Sequence, residues 1–188
     1  MIIGIAGVIG GGKGTVVECL MSKGRFTHYS SSDLLITILE KRGEVVDRDG
    51  MNRIANELRA IDPAGVPAEN YKRYEVEDGE GDAIFESIHS VPEAEFIKSM
   101  GGVIIGVTAD PDIRYERILK RGSVKDGVTK EKFIEQQKRE ETGGEDPNKS
   151  HIFAAIADAD FIIENNGTLS ELQQKVDDIL RILEADFG

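Results

Sequence analysis

A chain of 188 residues, 39% hydrophobic and 31% charged, has the size and composition of one α/β domain able to bury its own core, and it reads as a single domain over 1–188. Its 23 basic and 35 acidic residues give a net charge of −12, a field that works against nucleic acid or an anionic membrane as partner, although a loop of backbone N–H groups can still hold a phosphate. Cys19 is the one cysteine, which excludes an intramolecular disulfide and a cysteine zinc cluster.

The first predicted strand, Ile2 to Ala6, is short and apolar, as suits a strand buried on both faces. This N-terminal stretch is too short and too Gly-rich for a signal peptide or membrane span, and no later apolar run approaches about 18 residues. A cytoplasmic location is expected. Lys13 to Lys23 reads as a helix ended by Gly24, with Cys19 on its buried face, and Phe26 to Ser30 is a weaker strand. Residues 43–80 are polar and carry helices. Strands follow at Ala83 to Phe85 and Val103 to Val107. Asp110-Pro111 then opens a helix that runs to Arg121 before Gly122. Residues 122–150 hold six basic and seven acidic residues and several glycines, which fits either a solvated helical pair or a mobile lid. The last strand is Phe161 to Ile163, and Thr168 caps a helix to about Ala185, striped by Leu169, Leu172, Val176, Ile179, Leu180 and Leu183. Strands alternating with helices predict an α/β three-layer sandwich with a five-stranded parallel sheet.

Between the first strand and first helix lies Gly7-Val8-Ile9-Gly10-Gly11-Gly12-Lys13-Gly14-Thr15. The strand–loop–helix setting makes this a credible P-loop. Gly7, Gly10, Gly11, Gly12 and Gly14 let the backbone curl with its N–H groups inward around phosphates, and the helix end adds partial positive charge. Lys13 supplies a full charge able to follow a transferring phosphoryl group. A P-loop usually has Ser or Thr directly after its lysine to hold Mg²⁺; here that position is Gly14, and the hydroxyl comes one later, at Thr15. No NKxD guanine-reading motif occurs, which disfavours a GTPase.

GKGT at this place resembles the adenylate kinase branch of the P-loop nucleoside monophosphate kinase-like family. The resemblance implies a P-loop NTPase fold with an acceptor-side helical region over 43–80 and a helical lid over 122–150. It implies ATP and Mg²⁺, the metal held mostly through water, with Thr15 at a nucleotide phosphate or the metal. Ser31-Ser32-Asp33-Leu34-Leu35 is similar to the family's STGDLLR segment, but Ile36 stands where the arginine gripping the acceptor phosphate is expected. Ile84 to Ser90 corresponds to LDGFPR: Glu86 replaces the aspartate that organises metal-bound water, and Ser90 replaces the arginine, with His89 beside it. Arg53 and Arg59 are possible substitutes or plain exposed helix residues. Asp33 is a candidate to contact or deprotonate the acceptor, or a helix cap.

On the donor side, the resemblance implies that Arg117 stacks on adenine and Arg121, one turn on, contacts phosphates. Arg139 is either a lid arginine closing on the transferring group or an exposed salt-bridged residue. Ala157 to Thr168 resembles the ADxxIxNxGT ending of dephospho-CoA kinases and of archaeal adenylate kinase-like proteins, which implies that Asn166 and Gly167 border the adenine. Of the three histidines, only His89 lies where chemistry is expected. The expected function is an ATP-dependent small-molecule kinase acting on a nucleotide or similar small acceptor, as a monomer or homodimer. The alternative is a regulatory or nucleotide-binding P-loop ATPase without an acceptor.

Overall fold

The computed structural model describes residues 1–77, 79–121, 129–142 and 151–187. Its strands are β1 (Ile2–Gly7), β2 (Phe26–Tyr29), β3 (Asp82–Ile88), β4 (Val103–Thr108) and β5 (Phe161–Glu164). They form one parallel sheet in the order β2-β3-β1-β4-β5, so the five-stranded parallel α/β sandwich is present as expected. The helices are α1 (Lys13–Met21), α2 (Ser31–Arg42), α3 (Arg48–Ile61), α4 (Gly65–Glu77), α5 (Val91–Ser99), α6 (Pro111–Arg121), α7 (Lys130–Thr142), α8 (Ile152–Ala157) and α9 (Leu169–Phe187).

Side chains alternate across each strand, and the two faces bury different helices. On one face Ile3, Ile5, Ile84 and Ile105 meet Val16 and Leu20 of α1 and Leu172 and Val176 of α9. Cys19 belongs to this core. On the other face Phe85 and Ile104 meet Tyr74 of α4, Ala94 and Ile97 of α5, and Ile152 and Ile156 of α8. Two smaller clusters sit outside the sandwich. Leu35, Leu39 and Ile54 join α2 to α3, and Phe133 of α7 packs on Ile118 and Tyr115 of α6.

Strand β3 runs three residues beyond the apolar stretch that marks it in sequence, through Glu86 and Ser87 to Ile88. This extension carries polar groups to the carboxyl edge of the sheet, where open α/β sheets bind ligands. Its pairing with β1 shifts register between Ile5 and Ala6, and Ser87 has φ 68°, the only positive φ outside glycine among the described residues. Strain of this kind is held at the edge that also bears the phosphate loop.

Helix starts follow local chemistry. Extended Ser30 is the N-cap of α2 and its Oγ accepts from Asp33 N–H, so of the two roles open to Asp33 the cap belongs to Ser30, and the Asp33 carboxylate is exposed in the first turn. Thr168 and Glu171 form a reciprocal capping box before α9, as the sequence predicts for Thr168. Among the described residues, no helix is long and apolar enough to cross a membrane.

Candidate nucleotide site

β1 delivers its chain into the loop at Gly7, and α1 begins at Lys13 with Gly12 as N-cap. Gly10 (φ 73°) and Gly12 (φ 102°) adopt left-handed backbone that an L side chain rarely takes. Gly10 has a second reason to lack a side chain: a Cβ there would stand 2.8 Å from the Arg114 carbonyl. A Cβ on Gly12 would collide with the Asn165 amide. The loop is tied down at Val8 N–H to Val107 O (3.3 Å) and Gly11 N–H to Val8 O (3.1 Å). Lys13 Nζ donates to Gly7 O (2.7 Å) and Val8 O (3.4 Å), spanning the loop whose phosphate it is expected to meet. Thr15 is half-buried in the first turn of α1, and Gly14 has open space beside its Cα.

The loop after β5 closes one side. Asn165 is buried, its Nδ2 donates to Gly11 O (2.9 Å), and its N–H donates to Thr108 O (2.7 Å). Asn166 Oδ1 accepts from Asp110 N–H (2.8 Å), fixing this turn to the end of β4, and Gly167 lies against Glu171. Arg117 reaches the same place: its Nη2 donates to Asn165 Oδ1 at 3.5 Å, while its Nη1 is buried with no hydrogen-bond partner among the described residues. A buried guanidinium donor left open beside a phosphate loop fits an anionic or aromatic ligand. The side chains of Arg121 and Arg139 lie outside the described residues, as do 122–128 and 143–150 of the expected lid. The intervening α7 is packed onto α6 through Phe133.

Glu86 extends the core face of Ile84 by one step, toward α1. Its Oε2 lies 3.0 Å from His28 Nε2, and the Ser31 hydroxyl donates to its main-chain oxygen (2.5 Å). The His28 hydrogen bond, and further off the Lys13 charge, hold the Glu86 carboxyl below its usual range against the opposing effect of burial. Glu86 is therefore ionised at neutral pH. A single ionised carboxylate beside a phosphate loop fits Mg²⁺, a hard ion that takes one or two carboxylates and completes its shell with phosphates and water. Among the described residues no group of three or more His, Cys, Asp or Glu could cage a metal.

The acceptor-side candidates fall into two groups. Arg53 is exposed and bound to Glu44 and to Glu57 (2.7 Å). Arg59 is not an exposed helix residue: it is buried, with Nε on Glu93 Oε1 (2.7 Å) and Nη1 on Asn56 Oδ1 (3.2 Å). Glu93 is fully buried, and its second oxygen accepts from His89 N–H (2.6 Å). Burial pushes the Glu93 carboxyl up against the pull of Arg59. His89 is pushed down to about 3 by burial, with Lys13 and Arg59 adding repulsion, so its ring is neutral. Lys13 and Arg59 thus each lie within electrostatic reach of His89, whereas Arg53 belongs to a separate surface network.

Four participants were not recognisable as such in the sequence. His28 escapes because its partner is 58 residues away, though its two-residue spacing from core Phe26 marks its face. Glu93 escapes because its bond to Arg59 spans 34 residues and depends on tertiary packing. Asn165 stands beside the expected Asn166 and does the clasping of the loop. Arg114, almost fully buried, donates to Ala109 O (2.9 Å) and Gln137 Oε1 (3.0 Å) and reaches Ile9 O (3.5 Å), joining β4, α7 and the phosphate loop.

A glycine cradle with its lysine, at the carboxyl edge of a β2-β3-β1-β4-β5 parallel sheet, defines a P-loop protein of kinase-like fold. The chain belongs to the AAA-domain family AAA_18, whose pattern matches residues 3–142, and to the UPF0200 proteins. The UPF0200 protein of Sulfurisphaera tokodaii is 31% identical over 185 residues, 96% of each chain. The UPF0200 protein of Methanocaldococcus jannaschii is 29% identical over 185 residues, 96% of this chain and 89% of its own. Among solved structures, the shikimate kinase of Acinetobacter baumannii in complex with shikimate superposes with a TM-score of 0.61 at 14% identity, covering 98% of this chain and 93% of that one. At that identity the likeness is one of fold.

Proposed function

We propose that this protein is an ATP-dependent kinase that transfers the γ-phosphoryl group of ATP to a small-molecule acceptor, on the adenylate kinase-like or dephospho-CoA kinase-like side of the P-loop kinases. The observation that carries the reading is the convergence of Lys13 and ionised Glu86 at one loop, with the open Nη1 donor of Arg117 on its far side. Phosphoryl transfer asks a protein mainly for positioning and charge neutralisation, and these groups supply both. The Gly7–Thr15 backbone binds the β- and γ-phosphates, and Lys13 exchanges its carbonyl partners for phosphate oxygens. Arg117 and the Asn166–Gly167 turn hold the base. Mg²⁺, when bound, spreads the negative charge of the phosphates, with Glu86 and Thr15 as the residues that would hold it through water or directly. Asp33, exposed at the start of α2, faces the acceptor and positions its nucleophile. Arg121 and Arg139 complete the charge stabilisation. We place the protein in the cytoplasm, acting on small molecules.

The acceptor is read by something other than paired arginines. Ile36 and Ser90 hold the places where the family's resemblance calls for phosphate-gripping arginines, and Ser90 is occupied as the N-cap of α5. Arg53 and Arg59 are already bound to carboxylates. AMP is therefore a poor acceptor, since each charge-assisted bond missing from its phosphate forfeits roughly 1.5–3 kcal/mol. Release of ADP from ATP, followed with AMP, CMP, UMP, dNMPs and dephospho-CoA at equal concentration, tests both statements. Stimulation by one acceptor other than AMP is expected. Efficient AMP phosphorylation, near 10⁵ M⁻¹s⁻¹ as an order of magnitude, would show that the two arginines have been replaced. Slow hydrolysis indifferent to every acceptor would choose a second reading, a nucleotide-dependent regulatory ATPase, which the same engagement of Arg53 and Arg59 favours.

A further inference from the structure

The sheet places a histidine where the proposed mechanism has no use for one. β2 is an edge strand paired only to β3, with Tyr29 opposite Phe85. Phe26 faces the α1 side of the sheet, so His28, two residues on, faces it too. On β3 the same alternation sends Ile84 and Glu86 to that side. His28, opposite Ile84, and Glu86 are consequently diagonal neighbours across the parallel ladder, with Nε2 3.0 Å from Oε2. Both side chains are about three-quarters buried, at 26% and 22% exposure, so the pair is shielded from the screening that makes surface pairs worthless.

Glu86 is held at three points. Its main-chain oxygen is bonded by Ser31 Oγ, its Oε2 by His28, and its backbone immediately precedes Ser87, whose positive φ turns the chain. Its remaining oxygen, Oε1, has no protein hydrogen-bond partner among the described residues. A carboxylate fixed by one oxygen presents the other in a single direction. This is how partners of metal-binding carboxylates act: they orient the ligand and tune its basicity, and their loss typically costs about 10–100-fold in metal affinity.

We propose that His28 is a positioning residue for the divalent cation that accompanies the nucleotide: it fixes Glu86 through Oε2 so that Oε1 faces the metal or its bound water at the phosphate loop. The inference rests on the kinase reading given above. It assigns no proton transfer to His28 and requires only that its Nε2 carry a hydrogen, as either the Nε2 tautomer or the imidazolium does.

The test uses Mn²⁺ as probe, titrated into the full-length protein saturated with ATP and read by electron paramagnetic resonance. ATP affinity is measured separately with EDTA present. His28→Ala should weaken Mn²⁺ binding roughly tenfold while leaving metal-free ATP binding within about twofold. His28→Gln, whose amide nitrogen can donate from nearly the position of Nε2, should restore most of the loss. Glu86→Gln should weaken Mn²⁺ binding as well, and the double variant His28→Ala with Glu86→Gln should be no worse than Glu86→Gln alone, since His28 acts through Glu86. Unchanged Mn²⁺ affinity in His28→Ala, equal losses in His28→Ala and His28→Gln, or full additivity in the double variant would each overturn the proposal. If His28→Ala does not fold by circular dichroism, His28→Leu, which fills the space without a donor, takes its place: the same roughly tenfold loss, absent again on top of Glu86→Gln, is expected, and unchanged Mn²⁺ affinity would overturn the proposal. Failure of the unmodified protein to bind ATP is a different result, which overturns the kinase reading itself.

Discussion

The proposed donor and acceptor sides of the site are built from different materials. On the donor side the phosphate loop is backbone: Gly10 and Gly12 in left-handed conformation, carbonyls of Gly7 and Val8 holding Lys13, and the Gly11 carbonyl held by Asn165. On the acceptor side the framework is charge: Arg59 of α3 reaches Glu93 of α5 across 34 residues, and Glu93 in turn holds the backbone of His89. A backbone cradle is available to a ligand because main-chain N–H groups remain to be satisfied. A buried ion pair is already satisfied, so its arginine serves the fold before it serves a substrate. On the kinase reading, a charge removed from the donor side costs catalysis, whereas on the acceptor side the expense falls on stability.

Glu93→Ala should produce the largest effect. It strands a buried guanidinium and the His89 N–H together, and breaking a buried pair in this way costs about 3–5 kcal/mol. Urea denaturation should show the loss, with an unchanged slope. A loss below about 1 kcal/mol would mean that Arg59 finds a second partner with no strain, and the contrast between the two sides would weaken.

Lys13→Ala should come next, and in the opposite observable. It removes the one full positive charge within the loop, so ATP turnover should fall by at least roughly 10²-fold, the scale for losing an electrostatic stabiliser. Stability without ligand should fall by less than in Glu93→Ala, because Lys13 is only partly buried and water can take its place at the Gly7 and Val8 carbonyls. Near-native turnover would rule out this loop as the phosphate site.

The same contrast explains what could be read without coordinates. The parallel sheet was legible because strands buried on both faces are short apolar runs, and the loop because glycines and a lysine at fixed spacing between strand and helix are a local pattern. Strand β3 was read too short because Glu86 and Ser87 interrupt the apolar run although the backbone continues. Arg59 read as one of two equivalent helix arginines, since nothing near it in sequence distinguishes it from Arg53. Its difference lies in Glu93, on another helix. His28 and Arg114 read as ordinary residues for the same reason: their partners Glu86 and Gln137 are 58 and 23 positions away. Periodicity tells which face a residue occupies, while the group it meets there is a property of the assembled layers.

The smallest of these effects, and the one most specific to the acceptor side, is a pH slope from His89. Among the described residues, the charged and titratable groups around its ring and backbone include Lys13 on α1, Arg59 on α3, Glu93 on α5, and His151 before α8, whose N–H donates to the His89 carbonyl. Burial and the two cations lower its folded-state pKa to about 3, while an unfolded chain titrates near 6.5. Between those values the unfolded state binds the extra proton, so stability rises with pH and is lost progressively as pH falls below about 6.5. The slope can be at most about 1.4 kcal/mol per pH unit for one proton. Glu93 contributes in the opposite sense, because its raised pKa means that the folded state holds its proton more tightly above the usual carboxyl range. A single denaturation curve therefore cannot isolate His89, but the difference between the native protein and His89→Gln can. Urea midpoints measured from pH 7 to pH 4.5 should diverge, the native protein losing stability faster than the variant on acidification. Parallel curves would mean that His89 takes up its proton in the folded state near its ordinary value, with water or a carboxylate reaching the ring. The acceptor side would then be open and polar beside Lys13, and the distinction from the donor side would be one of residue type alone.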